Sequence, residues 1–332
     1  MKNSNELSAP SNIALIKYWG KTKGQYPVNA NVSFTLKNAK TFLQYSYVKN
    51  SQEKILLETF KFNEKEDLDF KNSLEKKLER LNNNYKFPFG VTLSLQTHNT
   101  FPHSSGIASS ASSMATIAKM LGEIYEIKDQ NVLSSFAREL SGSAARSIQD
   151  GWNLWGVTDF VVGSSQDFAI NINQRINPDY LTLQDWIFIC SSEKKSLSSS
   201  DGHKLMDHHK FLNSRIQNAQ SRMQEMLKLI ETTPHEHFFE LCEQEALELH
   251  AMMMTSEPPY ILMEPESLYL MKKITNLRRQ GVMCGYTLDA GSSVHLLFPK
   301  DQIGLIKRYF EEGYFGKKGT HFIDVLFDEC EA

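Results

Sequence analysis

Cysteine is scarce in this 332-residue chain: Cys190, Cys242, Cys284 and Cys330 stand far apart, with no CxxC pair. That spacing argues against a zinc site or a disulfide frame and fits reduced thiols in a cytoplasmic protein. No apolar run approaches the ~18 residues of a membrane span. The opening MKNSNELSAPSNIALIKYWGK also lacks the basic-then-apolar layout of a signal peptide. Neither sign of charge dominates, because 36 basic against 39 acidic residues leave a formal −3. So weak a field favours neither nucleic acid nor an anionic membrane, and an anionic ligand must be held by local basic groups. His208-His209 and His235/His237 complete no ligand set, so no protein-held metal is expected. There is no GxSxG elbow for a nucleophilic serine, no cysteine in a basic, glycine-flanked setting, and no internal repeat.

What the chain does have is small residues where elements meet. In GVTLSLQTHNTFP, Val91, Leu93 and Leu95 alternate with polar residues as in a strand that Pro102 closes. The stretch FPHSSGIASSASSMATIAKML then sets serines on both sides of Gly106 and passes into a helix expected to reach about Tyr125. NVLSSFARELSGSAARSI reads as a second helix with a break near Ser141 to Ala145, and GVTDFVVG and DWIFICSS as buried strands. The charged stretch before Asn84 places Leu74, Leu78 and Leu81 at helical spacing, as in a solvated helix. Beyond about residue 185 the pattern becomes strand, three amphipathic helices, two strands, helix, strand. That order predicts an α+β layer structure, with one domain over 1–185 and a second over 186–332.

Four segments carry residues with chemical meaning. The serine loop opens a helix, whose unpaired N–H groups and partial positive charge favour anions. No Gly-Lys-Ser/Thr follows it, so it is not a Walker A loop, and either a phosphate cradle or a plain capped helix fits. In SAPSNIALIKYWGK, Lys17 ends an apolar run; a buried ammonium needs an anionic partner, unless the side chain snorkels from a strand edge. In SGSAARS, small residues leave room around Arg146, whose planar fork suits a carboxylate or phosphate, although an exposed helix arginine would look the same. In GYTLDAGSS, Asp289 ends an apolar strand before a tight turn, an ordinary cap position unless a cation meets it.

Together these segments resemble one family. Pro102 to Ala111 fits the PxxxGIxSSA phosphate loop of the GHMP kinase superfamily. Ala9–Ala14 with Lys17–Lys21 matches the APxNIAxxKYWGK signature of the mevalonate diphosphate decarboxylases, LSGSAARS is similar to their GSGSACRS, and YTLDAG to their YTFDAG. SLSSSDGH at 196–203 stands where they carry a Val-Ser-Ser-(Thr or Arg) segment. The resemblance implies a two-domain GHMP kinase fold with a ribosomal-S5-like N-terminal half and a ferredoxin-like C-terminal half. It implies ATP with Mg²⁺ as cofactors and mevalonate 5-diphosphate as substrate. Phosphorylation of the tertiary 3-hydroxyl and loss of that phosphate with CO₂ would give isopentenyl diphosphate. Family members are commonly cytoplasmic homodimers.

The resemblance also implies roles. Asp289 would orient or deprotonate the 3-hydroxyl, with Lys17 paired to it and to the transferring phosphate. Arg146, helped by Asn12, would hold the substrate carboxylate, and Ser199 would align the phosphoryl group. Tyr18, Trp19, Gly20, Lys21, Ser141, Gly142, Ser143, Ala144, Ala145 and Ser200 would form the diphosphate and mevalonate site. Ser105, Gly106, Ala108, Ser109 and Ser110 would line the nucleotide loop, with Ser110 toward the phosphates and the metal. His103, Ser200, Ser292-Ser293 and Ala145 depart from the family pattern. A decarboxylase of the monophosphate, a mevalonate 3-kinase and a non-catalytic phosphate-ligand sensor are the competing readings. Retention of Lys17, Arg146 and Asp289 together favours the decarboxylase.

Overall fold

The computed structural model describes residues 5–102, 109–191, 193 and 197–332. In chain order the strands and helices are β1 (Asn5–Ile16), β2 (Asn31–Asn50), β3 (Ile55–Phe62), β4 (Lys65–Glu66), α1 (Leu68–Asn84), β5 (Gly90–Asn99), α2 (Ser109–Ile124), α3 (Gln130–Leu140), β6 (Trp152–Trp155) and β7 (Ala169–Asn171). There follow β8 (Gln184–Ile189), α4 (Ser199–Lys204), α5 (Leu212–Leu229), α6 (Glu236–Met254), α7 (Pro265–Arg279), β9 (Gly285–Thr287), β10 (Val294–Phe298), α8 (Ile303–Glu311) and β11 (Asp324–Glu329). The architecture is α+β, as expected.

Among the described residues, β1 to β7 form one seven-stranded sheet. The long strand β2 organises it. β1 runs antiparallel along β2 from Asn5↔Tyr45 to Ile16↔Val32, while β5 takes the C-terminal part of β2 and β6 its first four residues. The ladder of β1 stops at Ile16, so Lys17 stands just beyond the last sheet pairing. Leu74, Leu78 and Leu81 of α1 are buried with α2 and α3 against the sheet residues Leu43, Leu93 and Leu95. Asp67 caps α1 by accepting from Phe70 N–H, and Asp129 caps α3 by accepting from Asn131 N–H, each satisfying a donor the helix leaves open.

β8 to β11 form a four-stranded antiparallel sheet in the order β11-β8-β10-β9. Alternation splits its two faces. Trp186, Phe188, Leu296 and Phe298 pack with α7 and α8, whereas Ile187, Ile189 and Leu297 join Ile13, Val32 and Phe34 of the first sheet and Phe238 and Phe239 of α6. The two halves thus share a continuous apolar core.

One expected strand is absent. GVTDFVVG is a loop, with Val162 fully exposed and Val157 and Phe160 largely so. Gly156 and Gly163 both have positive φ (102° and 83°), and the segment closes on itself through Gly156 N–H to Ser165 O and Ser164 Oγ to Thr158 O. Its run of Phe160, Val161 and Val162 imitates a buried strand, but glycine turns at both ends stop the chain from extending.

Candidate active site

The fold brings together Lys17 and Asp289, the pair that the family resemblance implies. Lys17 Nζ lies 2.8 Å from Asp289 Oδ1 and 2.6 Å from Ala14 O, and its side chain is 2% exposed against 24% for Asp289. Burial alone would raise the Asp289 carboxyl. The Lys17 charge and hydrogen bond outweigh it, helped by His295 and Arg146, and hold the group below the usual carboxylate range. Lys17 therefore has the anionic partner its burial demands and does not snorkel.

Beside this pair stands Arg146, in a short 3-10 helix spanning Gly142–Ser147. It is buried, and its hydrogen bonds go to neutral amides. Nε and one terminal nitrogen reach Asn12 Oδ1 at 3.3 and 3.2 Å, and the other terminal nitrogen donates to Asn31 Oδ1. Asn12 is fixed in turn by donating to Ser147 Oγ at 2.8 Å and Ser143 O at 3.2 Å. Burial pushes the Arg146 guanidinium down to about 10, against the opposing pull of Asp289 and Tyr18. A buried cation whose hydrogen-bond partners among the described residues are amides is prepared for an anion.

The 18–21 segment runs along one side. Tyr18 packs between Trp155 and His203, its hydroxyl donating to Gln25 O, and burial raises its phenol. Gly142 lies against it, and Ser141 and Ser143 are half-buried while Ala144 and Ala145 are buried. Trp19 is buried in an apolar cluster with Met206 and Leu249. Gly20 has φ +93° and donates N–H to His203 Nδ1 at 3.0 Å. Lys21 Nζ reaches Gln25 Oε1, a neutral partner; burial lowers its ammonium, as do Arg80 and Lys204. Lys77 of α1 is pushed down to about 8 by burial and by Arg80 and Lys21. Arg80 pairs with Glu139 at 3.3 Å, but one terminal nitrogen is buried without a hydrogen-bond partner among the described residues. These cations oppose one another, and a polyphosphate would relieve that repulsion. The donor set fits the phosphates of ATP and of the substrate.

Ser109 and Ser110 open α2, half-buried and exposed respectively, and Thr41 Oγ1 pins the first turn at 2.7 Å from Ser112 Oγ. Ser105, Gly106, Ala108 and His103 lie outside the described residues. Ser199 and Ser200 begin α4 and are exposed; Ser198, not Ser199, caps that helix by accepting from Asp201 N–H. Among the described residues no group of three or more His, Cys, Asp or Glu can hold a metal.

Three residues near the site went unread in the sequence. His203 stacks on Tyr18 (4.5 Å) and Trp19 (4.6 Å), and is kept neutral at about 3 by burial, Lys21 and Arg146. Arg215 and Glu245, both 0% exposed, pair at 2.8 Å and reach the Lys17 backbone, with Arg222 and Glu248 completing the network. Removing one member of such a buried pair leaves its partner unmatched, at a cost of roughly 3–5 kcal/mol. The available signal was a charge inside an apolar stripe: Glu245 falls among Leu241, Cys242, Ala246 and Leu249.

Residues 9–165 match the family model of the diphosphomevalonate decarboxylase-like N-terminal domain, and residues 186–326 that of the mevalonate 5-diphosphate decarboxylase C-terminal domain. The diphosphomevalonate decarboxylase of Ganoderma lucidum is 29% identical over 94% of this chain and 86% of its own, and that of Candida albicans 27% over 96% and 91%. Among solved structures, the Staphylococcus aureus mevalonate diphosphate decarboxylase superposes with a TM-score of 0.85 at 24% identity, covering 100% of this chain and 97% of its own. MDDEF in complex with MVAPP, AMPPCP and magnesium superposes with a TM-score of 0.82 at 25% identity, covering 100% and 98%.

Proposed function

The chain belongs to the diphosphomevalonate decarboxylase family, and on that premise we propose a role for each residue around its buried lysine–aspartate pair. The enzyme converts (R)-5-diphosphomevalonate with ATP to isopentenyl diphosphate, CO₂, ADP and phosphate. Bound ATP with Mg²⁺ supplies the phosphoryl group that turns a tertiary hydroxyl into a leaving group. Asp289, an ionised carboxylate, accepts the hydrogen bond of the 3-hydroxyl and draws its proton. Lys17 fixes that carboxylate from behind and places a positive charge where phosphoryl oxygens gather. Arg146, with Asn12 setting its plane, holds the substrate carboxylate so that it stays beside C3 until it leaves as CO₂.

Tyr18, Lys21, Ser141 and Ser143 take the 5-diphosphate, with Gly142 allowing the tyrosine to lie close. Trp19 and Gly20 shape that segment, and Ala144 and Ala145 give Arg146 its buried setting. Ser109 and Ser110, with Ser105, Gly106 and Ala108, hold the nucleotide phosphates, and Lys77 and Arg80 add charge. Ser199 and Ser200 serve the phosphoryl and diphosphate groups. The observation that carries the reading is the buried Lys17–Asp289 pair beside a guanidinium that, among the described residues, is bonded to amides.

We also propose that the protein is a cytoplasmic homodimer divided near residues 185 and 186. The four buried free thiols support that location, family resemblance supports the dimer, and light scattering after size exclusion reads the assembly. No described helix is long and apolar enough to cross a membrane.

The test is stoichiometric. With ATP, Mg²⁺ and mevalonate 5-diphosphate, ADP, phosphate and CO₂ are expected one-to-one-to-one. ADP without CO₂ would make this a 3-kinase. Turnover of the monophosphate alone would move the specificity, and tight ATP binding without turnover would leave a sensor.

A further inference from the structure

The backbones of Lys17 and Asp289 are both bonded by side chains of one helix, α6. Lys17 follows the last ladder residue of β1, and Asp289 lies two residues past β9, so the sheets fix neither backbone directly. Glu245 Oε2 accepts the Lys17 N–H at 2.9 Å, and His250 Nε2 donates to the Asp289 carbonyl at 3.2 Å. Both residues belong to α6, where a rise of about 1.5 Å per residue spaces them by roughly 7.5 Å. Glu245 is completely buried and His250 2% exposed.

Each contact is reinforced. Arg215 donates to Glu245 Oε2 at 2.8 Å and to the Lys17 carbonyl at 3.2 Å, and Asn29 donates to that carbonyl at 3.1 Å. Gly291 N–H shares the Asp289 carbonyl at 2.7 Å. Against the burial that would raise it, Arg215 holds the Glu245 carboxyl below its ordinary range, so it remains a charged acceptor.

We propose that α6 sets the separation of the reacting pair, with Glu245 and His250 acting as positioning residues that hold the backbones of Lys17 and Asp289 respectively. The inference rests on Lys17–Asp289 being the reaction centre. Asp289 is faced by Lys17 from the end of β1, Arg146 from the short 3-10 helix, His295 from β10 and His250 from α6. Of these, Lys17 acts most strongly, so a pair that drifts apart lets the Asp289 carboxyl titrate at higher pH.

The experiment compares His250→Phe, which keeps a ring but removes the donor, with His250→Gln, which keeps a donor. Both remove the imidazole, so its own titration cancels between them. For H250F, kcat is expected to fall about tenfold or more with KM for both substrates little changed. The acidic limb of its kcat profile should move to higher pH, and H250Q should recover most of both. H250F with wild-type kcat and limb, or equal loss in both variants with an unmoved limb, overturns the inference. If H250F does not fold, Glu245→Asp makes the test from the Lys17 side, withdrawing the carboxylate while keeping its charge. The same kcat loss and limb shift are expected, and an unchanged profile overturns the proposal. Asp289→Asn run in parallel separates the two ideas. An inactive D289N beside an unaffected H250F removes only the positioning role, whereas an active D289N removes the reaction centre itself.

Discussion

Gly142 lies directly against Tyr18: a Cβ at residue 142 would come within 2.5 Å of the Tyr18 hydroxyl oxygen and 2.9 Å of Cζ. The tyrosine cannot yield freely, because Trp155 and His203 pack on its ring at 4.8 and 4.5 Å. Gly142→Ala is therefore expected to push the hydroxyl off its position and raise KM for mevalonate 5-diphosphate about tenfold or more. KM for ATP should change little. Initial-rate kinetics with each substrate varied in turn checks this, and equal rises in both KM values would separate Tyr18 from the diphosphate.

Arg146 makes a second, independent prediction. Among the described residues its hydrogen bonds go to the Asn12 and Asn31 amides, so the substrate carboxylate would complete its coordination. Charge-assisted hydrogen bonds contribute about 1.5–3 kcal/mol, so Arg146→Ala should weaken binding of mevalonate 5-diphosphate by roughly 10–150-fold. ATP binding should be nearly unaffected. Arg146→Lys should not rescue, since an ammonium cannot reproduce the planar fork. Isothermal titration of each ligand separately reads the difference, and equal losses for both would refute the carboxylate role.

His203 ties the site to stability. Its folded value, pushed down to about 3 by burial, Lys21 and Arg146, lies below its ordinary 6.5. Between those values the unfolded chain binds a proton that the folded chain refuses, so stability rises with pH across the interval. The stability is complete above about 6.5 and is lost as pH falls toward about 3, at no more than about 1.4 kcal/mol per pH unit. His203→Asn can still accept the Gly20 N–H but does not titrate. Urea denaturation of both proteins from pH 7 to 4 should show the wild type losing stability faster, and parallel curves would contradict the assignment.

Much of this was legible in the sequence because the relevant residues sit out of character with their neighbours. Lys17 stands in an apolar run, Asp289 ends an apolar strand, and Arg146 lies among alanines and serines. Each states a need without naming what meets it, and family resemblance made the pairing explicit. The leucines of α1 were legible for the opposite reason, since helical spacing alone determines which face they bury. Arg215 and His250 were not legible, and Glu245 showed only as a charge inside an apolar stripe. On amphipathic helices a charge reads as solvent-facing, and only the packing of α5 and α6 around the end of β1 turns those side chains inward. Val157 to Gly163 misled because a short apolar run was present without strand partners.

The central claim is that Asp289, held by Lys17, acts on the 3-hydroxyl. It is tested most directly by mixing Asp289→Asn with ATP, Mg²⁺ and mevalonate 5-diphosphate in a single-turnover experiment that follows ADP and CO₂, with ATP affinity measured on the same preparation. The substitution keeps the side chain's size and removes its charge, so ATP should bind as in the wild type while neither product forms above background. Release of ADP and CO₂ within about tenfold of the wild-type rate would contradict the account.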